Sequence, residues 1–330
     1  MLITRTPYRI SFLGGGTDLK SYYEKFEGKV LNTSIDRFLY VIVKKQIGFV
    51  RHKYRINWSK IEFCDTINEI KNPIARETLR YFKIDFPIEI TTIADIPANT
   101  GLGSSSAFAV GLVHALFSLK NISVTKHEIA NVAAKIEIDI LKRNIGKQDH
   151  FASSYGGINL IEFKKNDVVE VRPLPISKKN RLRLQNNLIF FYTNITRDAS
   201  KILKNQILQK DEKIDYLNKI KNLVSELEMI LMTGRNFDKI GELFHLNWTY
   251  KKKINDRASN KSINDMYNES IKLGSKGGKI LGAGGGGFLM LYGNQKIQDK
   301  LKKKFIKKNY FNIKIDTVGT RLTYYDHDLS

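Results

Sequence analysis

The sequence predicts an α+β chain in two halves, the first rich in strands and the second rich in helices. Three observations lead there. Residues 2–5, 8–13 and 38–45 are β-branched or aromatic segments punctuated by Gly14-Gly15-Gly16. From position 198 to about 273 the apolar residues recur at helical spacing, with short breaks near Gly234 and Asp256. The last third alternates again, with a strand at 288–292, a helix at 297–308 and a strand at 312–318.

Between these, 73–81 reads as a helix and 87–93 as a strand with one apolar face. A loop over 95–103 leads into a helix at 104–119. A second helix at 125–143 opens on Thr125 with Glu128, the pairing of a capping box. Residues 157–163, 168–171 and 188–192 read as strands. No repeat or low-complexity linker divides the chain, and the expected boundary lies near 182–187. That gives one part at 1–185 and another at 186–330.

Composition excludes several classes. The chain has 330 residues, 42% of them hydrophobic, enough for one large core or two medium ones. No apolar run is long enough to cross a membrane, and the start, Met1-Leu2-Ile3-Thr4-Arg5, lacks a signal peptide's apolar core. Cys64 is the single cysteine, so a reducing cytoplasm is expected and a cysteine-based metal site is not. The formal charge of +22 invites a nucleic-acid reading. Its 55 basic residues are dominated by Lys and spread along the chain, however, without an aromatic-lined stripe. A diffuse basic surface also draws in anionic small molecules.

The most informative stretch runs Pro97-Ala98-Asn99-Thr100-Gly101-Leu102-Gly103-Ser104-Ser105-Ser106. Gly101 and Gly103 permit positive φ and close backbone approach. The serines fall where a helix start offers unpaired N–H groups and its positive dipole end, an anion site. A simple serine cap would need one hydroxyl, not three. The string is not a Walker A loop, which ends in Gly-Lys-Ser/Thr. A second glycine run, Gly282-Ala283-Gly284-Gly285-Gly286-Gly287, has dinucleotide-fold spacing but leads into a strand pattern and lacks the later acidic residue. Six histidines show no zinc-binding spacing.

Three stretches together resemble the GHMP kinase superfamily: Thr6 to Asp18, the Pro97 to Ser106 loop, and Lys279 to Phe288. Within it, Gly14-Gly15-Gly16-Thr17-Asp18, Gly146-Lys147-Gln148-Asp149 with Gly156-Gly157, and Tyr192 to Arg197 are most similar to the D-glycero-D-manno-heptose 7-phosphate kinases. Asn194 stands where that pattern has glycine. The resemblance implies a GHMP kinase-like two-domain fold, ribosomal protein S5 domain 2-like in its N-terminal part and ferredoxin-like in its helix-rich C-terminal part. It implies ATP and Mg²⁺ as cofactors and a small-molecule sugar phosphate as partner, with no nucleic acid and no membrane, in a monomer or homodimer. An L-fucose-type kinase of the same superfamily shares the triple-glycine opening.

The resemblance also implies roles. Asp149 would accept or orient the acceptor's hydroxyl proton, although a turn Asp capping the next element reads the same locally. Arg9 would sit near the transferred phosphate; the alternative is an outward strand residue. Pro97, Gly101, Leu102, Gly103, Ser104, Ser105 and Ser106 would hold ATP. Glu137, flanked by Ala133, Ala134, Ile140 and Leu141 on its helix, is expected to be buried and in need of a cation. Mg²⁺ held with Ser105 would supply it, or else an ion pair with Lys135 or Arg143. Gly15, Gly16, Thr17 and Asp18 would contact the sugar, though Asp18 also reads as a helix cap. Gly284, Gly285 and Gly286 would shape the substrate pocket, and Arg197 is a candidate for the 7-phosphate.

Overall fold

A computed structural model describes residues 1–48, 50–196 and 211–326. Arg197 lies outside the described residues.

Strands β1 (Leu2–Leu13) and β2 (Gly28–Lys45) form the spine of an eight-stranded sheet. Helix α1 (Lys20–Phe26) joins them, and β3 (Tyr54–Asn57), β4 (Ile61–Cys64) and β5 (Ile88–Ala94) extend one edge. Helix α2 (Pro73–Tyr81) starts at a Pro behind an Asn72 cap whose side chain accepts from two backbone amides. β6 (Ile158–Phe163) pairs with the first part of β2, and β7 (Val169–Pro173) pairs with β6.

Segments 2–5 and 8–13, expected as two strands, are one. Pro7 is tolerated because the β1–β2 register shifts between Pro7 and Arg9, a bulge where the ladder needs no donor. A second shift falls between Ser11 and Leu13. Arg9 and Ser11 therefore stand between two irregularities that turn the strand toward the cleft.

Helix α3 (Ser104–Leu119) is apolar nearly all round and lies on β1 and β2. The approach is close: a Cβ on Gly111 would come within 2.9 Å of Thr6 Oγ1. Helix α4 (Lys126–Ala134) opens on the expected capping box. It continues as a π-helical stretch, Lys135–Ile140, so the predicted helix ends three residues early and with a widened turn. Helices α5 (Gln148–Tyr155) and α6 (Lys178–Asn186) follow. The boundary expected near 182–187 falls at the end of α6.

The second half begins with β8 (Leu188–Tyr192). Helices α7 (Asp211–Thr233), α8 (Lys239–Ile254) and α9 (Lys261–Lys272) come next, then β9 (Gly277–Ile280), β10 (Phe288–Tyr292) and α10 (Gln295–Lys304). β11 (Tyr310–Phe311) completes a four-stranded antiparallel sheet in the order β11-β8-β10-β9. The strand expected at 312–318 is absent. Only Ile315 makes an isolated bridge, to Ile35, and the final strand is β12 (Arg321–Tyr325), which pairs with β1. The alternation that marks β12 is weak because none of its residues is buried on either face.

One buried cluster runs through both sheets, joining Ile10, Val41 and Leu112 to Leu188, Phe244 and Met290. Phe12 on β1 and Phe244 on α8 stack at 6.0 Å, tying the two halves beside the cleft.

Candidate active site

A cavity of about 1200 Å³ opens between the halves. On one side stand Arg9, Ser11, Gly15, Gly16 and Asp18. On another are Ser104, Ser105 and Ser106, with Gln148 and Asp149 from α5. Asn247, Lys251, Lys279, Gly282, Gly284 and Gly286 close it from the second half.

The serine loop is built as a helix start. Gly103, not a serine, is the N-cap residue of α3; it adopts φ +77°, and Gly101 adopts φ +85°. Ser104, Ser105 and Ser106 therefore occupy the first turn, where amides have no intrahelical acceptor. Backbone contact with the second glycine run holds the loop. A Cβ on Gly101 would lie 2.6 Å from Leu281 O, and one on Gly287 would lie 2.1 Å from Thr100 O. Tyr8 Oη donates to Ile96 O at 3.1 Å, anchoring the loop's approach to β1.

Arg9 is buried and makes three side-chain hydrogen bonds. Its Nε donates to Asp149 Oδ1 at 2.6 Å, its Nη2 to Asp149 Oδ2 at 2.5 Å and its Nη1 to Gly101 O at 2.7 Å. A Cβ on Gly103 would be 3.3 Å from both Arg9 Cγ and Asp149 Oδ2, so the pair sits directly against the helix start. The outward-facing alternative for Arg9 is thus excluded.

Glu137 is fully buried. Oε1 accepts from Ser105 Oγ at 2.5 Å and Arg143 Nη1 at 2.6 Å, while Oε2 lies 2.9 Å from His150 Nε2. Burial alone would raise its pKa, but His150, Arg143 and Ser105 outweigh it and hold the carboxyl at about 2. The Arg143 ion pair expected as an alternative is present. Arg143 also bonds Ser105 Oγ at 2.6 Å; both residues line the cavity, with the Glu137 carboxylate buried behind them.

Asp18 accepts from Gly16 N at 2.9 Å and from Gln148 N at 3.3 Å. It therefore serves the start of α5 rather than that of the adjacent α1, whose N-cap is Leu19. Burial and then neighbouring Asp149 raise its pKa. Gly146 leaves it room: a Cβ there would fall 1.8 Å from Asp18 Oδ2.

Three expected contacts are not made by side chains in the cavity. Thr17 is buried in the Gly14 turn, its hydroxyl donating to Gly14 O and accepting from Lys29 N. Leu102 turns into the core and offers only its carbonyl, which accepts from Arg9 N at 3.1 Å. Gly285 faces away, donating to Ala258 O at 2.6 Å. Pro97 lines the cavity as expected.

Other residues join the site without having been singled out. Lys251 Nζ donates to Gly282 O and Lys279 Nζ to Phe12 O. Burial first, and then Arg9, lower the Lys251 pKa to about 8 against an opposing pull from Asp18. Burial, then Lys251 and Arg9, push Lys279 well below the usual lysine range. Ser11, Gln148 and Asn247 each carry a buried oxygen with no partner. One signal was available: Lys279 is a charge inside an otherwise apolar strand. His150, which belongs to no metal-ligand spacing, is Glu137's partner.

A helix start with open amides, an Arg–carboxylate pair beside it and one cavity shared by both halves suit phosphoryl transfer. The chain carries the GHMP kinases N terminal domain, matched over residues 68–157, and it is an ATP-dependent phosphotransferase of that kind. It is 29% identical over 303 residues to the D-glycero-alpha-D-manno-heptose 7-phosphate kinase of Campylobacter jejuni, covering 88% of each chain. It is 26% identical over 324 residues to the L-fucokinase/L-fucose-1-P guanylyltransferase of Bacteroides fragilis, covering 87% of this chain and 34% of that one. Among solved structures, a D-glycero-D-manno-heptose 1-phosphate kinase superposes with a TM-score of 0.80 at 20% identity, over 99% of this chain and 100% of the other. The fold is therefore the GHMP kinase fold. No helix among the described residues is long and apolar enough to cross a membrane.

Proposed function

We propose that the chain transfers the γ-phosphoryl group of ATP to the anomeric hydroxyl of D-glycero-D-manno-heptose 7-phosphate, giving the 1,7-bisphosphate and ADP. The observation that carries the reaction type is the contact of the Arg9–Asp149 pair with the Gly103 helix start. A carboxylate, a fixed positive charge and a helix start with open amides around one point support this reading. The Campylobacter jejuni relative, by its name and its coverage, supports the choice of acceptor.

In this reading the ATP phosphates lie on the amides and hydroxyls of Ser104 to Ser106, and the base lies toward Trp58, Ile74 and Phe108 in the same cavity. Asp149 orients the acceptor hydroxyl and takes its proton as the new O–P bond forms. Arg9 neutralises the charge that develops on the phosphoryl group while the bond to ADP breaks. Asp18, Gly15, Gly16, Gly284 and Gly286 contour the sugar pocket. The parts at 1–185 and 186–330 then act as phosphate-loop half and acceptor half.

The Ser105 hydroxyl and the Glu137 carboxylate suit Mg²⁺, being hard oxygens held 2.5 Å apart next to the serine loop. Only two protein ligands are offered, which matches an ion that keeps waters and phosphate oxygens. When bound, the ion would neutralise ATP phosphate charge; Arg143, which bonds both oxygens, would then move off them.

The test is a panel of sugars and sugar phosphates with ATP and Mg²⁺, reading ADP release and locating the new phosphate. Turnover on L-fucose with none on heptose 7-phosphate would replace the acceptor. Tight RNA binding without any phosphorylation would reject the reading.

A further inference from the structure

Helix α5 meets the large sheet through polar groups. Its positions 148, 149, 152 and 153 share one side at helical spacing and read Gln, Asp, Ala and Ser. Asp149 meets Arg9 on β1, and Ala152 O accepts from Ser34 Oγ on β2 at 2.7 Å. Arg9 and Ser34 are cross-strand partners, so this side of α5 lies on the sheet face that both present. Two residues further along, Ser11 pairs with Asn32, and Asn32 pairs with Asn159 on β6. These three therefore stand in a row on the same face, about 4.8 Å apart from strand to strand.

The row is buried and its bonding is unfinished. Asn32, Asn159 and Ser153 are fully buried, and Ser11 is 5% exposed. Ser11 Oγ, both side-chain polar atoms of Asn32, Asn159 Oδ1 and Ser153 Oγ have no hydrogen-bond partner in the protein, nor has Gln148 Oε1. Six of the nine such atoms among the described residues thus belong to one seam between α5 and the sheet. Asn159 Nδ2 donates to Gly156 O at 2.9 Å, which leaves its oxygen for the seam.

The chemistry of these atoms selects the occupant. Buried polar atoms are satisfied either by protein or by ordered water. Asn32 Nδ2 only donates, the amide oxygens only accept, and the hydroxyls do either. A metal ion would be repelled by the N–H group, and an apolar molecule would satisfy none of the six. Water donates and accepts at once, and its usual need of about two to four polar partners is met here. The way in is at the cavity. Ser11 and Gln148 line it, and a Cβ on Gly15 would fall 3.3 Å from Ser11 Oγ and 3.6 Å from Gln148 Nε2.

We propose that Ser11, Asn32, Asn159 and Ser153 hold a cluster of internal waters, and that Asn32 at its centre is a positioning residue for Asp149. The Arg9–Asp149 fork and the Ser34 bond hold α5 directly; water bridges to Asn32 set how far the helix stands off the sheet. Asp149 lies in the first turn of that helix, so the standoff decides where its carboxylate sits in the cavity. Misplacing a catalytic group by about 1 Å costs roughly a hundredfold in rate. The role given to Asp149 is that of the proposed reaction; the choice of sugar does not enter.

The experiment compares wild type with Asn32→Val, which removes both polar atoms and suits a strand, and with Asn32→Ser, which keeps a hydroxyl and leaves room for another water. Crystal structures without any acceptor are expected to show waters bridging Asn32 to the neighbouring oxygens in wild type. In Asn32→Val they should show α5 displaced and the Arg9–Asp149 fork altered. Steady-state kinetics, with the sugar that the substrate panel selects, should give Asn32→Val a kcat about tenfold or more below wild type. Its KM values for ATP and sugar should move far less, and Asn32→Ser should recover most of the loss. Direct side-chain bonds closing a dry wild-type seam, or a cation in place of water, overturn the proposal. So does Asn32→Val with wild-type kcat, or a loss in which kcat and both KM values change together and Asn32→Ser recovers nothing. If no sugar is turned over, the kinase reading falls by itself; bridging waters and a displaced α5 then still support the seam. Thermal melts check folding; should Asn32→Val fail to fold, Ser153→Ala removes one water ligand and carries the same comparison.

Discussion

Arg9 grips both carboxylate oxygens of Asp149, at 2.6 and 2.5 Å, and does so against the backbone of the helix start at Gly103. The fork fixes where each oxygen of Asp149 points, because a planar guanidinium accepts only one alignment of a bidentate carboxylate. In the proposed reaction that pair sets the catalytic geometry.

Asp149→Asn is expected to fold normally and lose at least about a hundredfold in kcat, the scale of general-base help. Arg9→Lys keeps the charge but not the fork, so it is expected to lose turnover by more than its effect on ATP binding. Steady-state ADP release, set beside a binding titration with ATP, checks both. Near-normal turnover of Asp149→Asn would remove Asp149 from the chemistry.

Glu137 couples stability to pH. Its folded pKa of about 2 lies below the ordinary value of 4.5, so it stabilises the fold above that ordinary value. The contribution fades as pH falls from about 4.5 toward 2. Glu137→Gln should therefore be less stable than wild type at pH 7, by about 3–5 kcal/mol if breaking a buried pair behaves as usual. The gap should narrow in melts at pH 4 and below. A gap that stays constant with pH would show that the carboxylate charge is not what stabilises this cluster. The same variant should need more Mg²⁺ for half-maximal activity if Glu137 holds the ion.

Gly287→Ala tests the contact between the two glycine motifs. The new Cβ would meet Thr100 O at 2.1 Å with φ at +83°, so one loop must shift. The expected result is a folded protein with a raised KM for ATP, larger than its effect on the acceptor. An unchanged KM for ATP would mean that the docking of the loop does not position the phosphates.

Two tryptophans separate binding from folding signals. Trp58 lines the cavity and is 36% exposed, whereas Trp248 is fully buried in the second core. ATP should change tryptophan emission in wild type and not in Trp58→Phe. A full response retained in Trp58→Phe would place the base elsewhere.

The sequence by itself determined the parts that are local. Gly101 and Gly103 before three serines specify a helix start with open amides, and the flat ladder of apolar residues in α3 specifies its burial. Thr125 with Glu128 specifies the opening of α4, and the hydrophobic neighbours of Glu137 announced a buried carboxylate. What the tertiary structure decided is which distant groups meet. Thr17 spends its hydroxyl on a turn, while Asp18 caps a helix 130 residues away. β12 leaves the second half to pair with β1, a long-range pairing with no local signature. Lys251 and Lys279 become a pair only because α8 and β9 pack together, and charge at single positions reads from sequence as solvated surface. Local patterns follow from backbone geometry and side-chain period, but convergence of charge depends on contacts between segments far apart in the chain, which only the packed fold brings about.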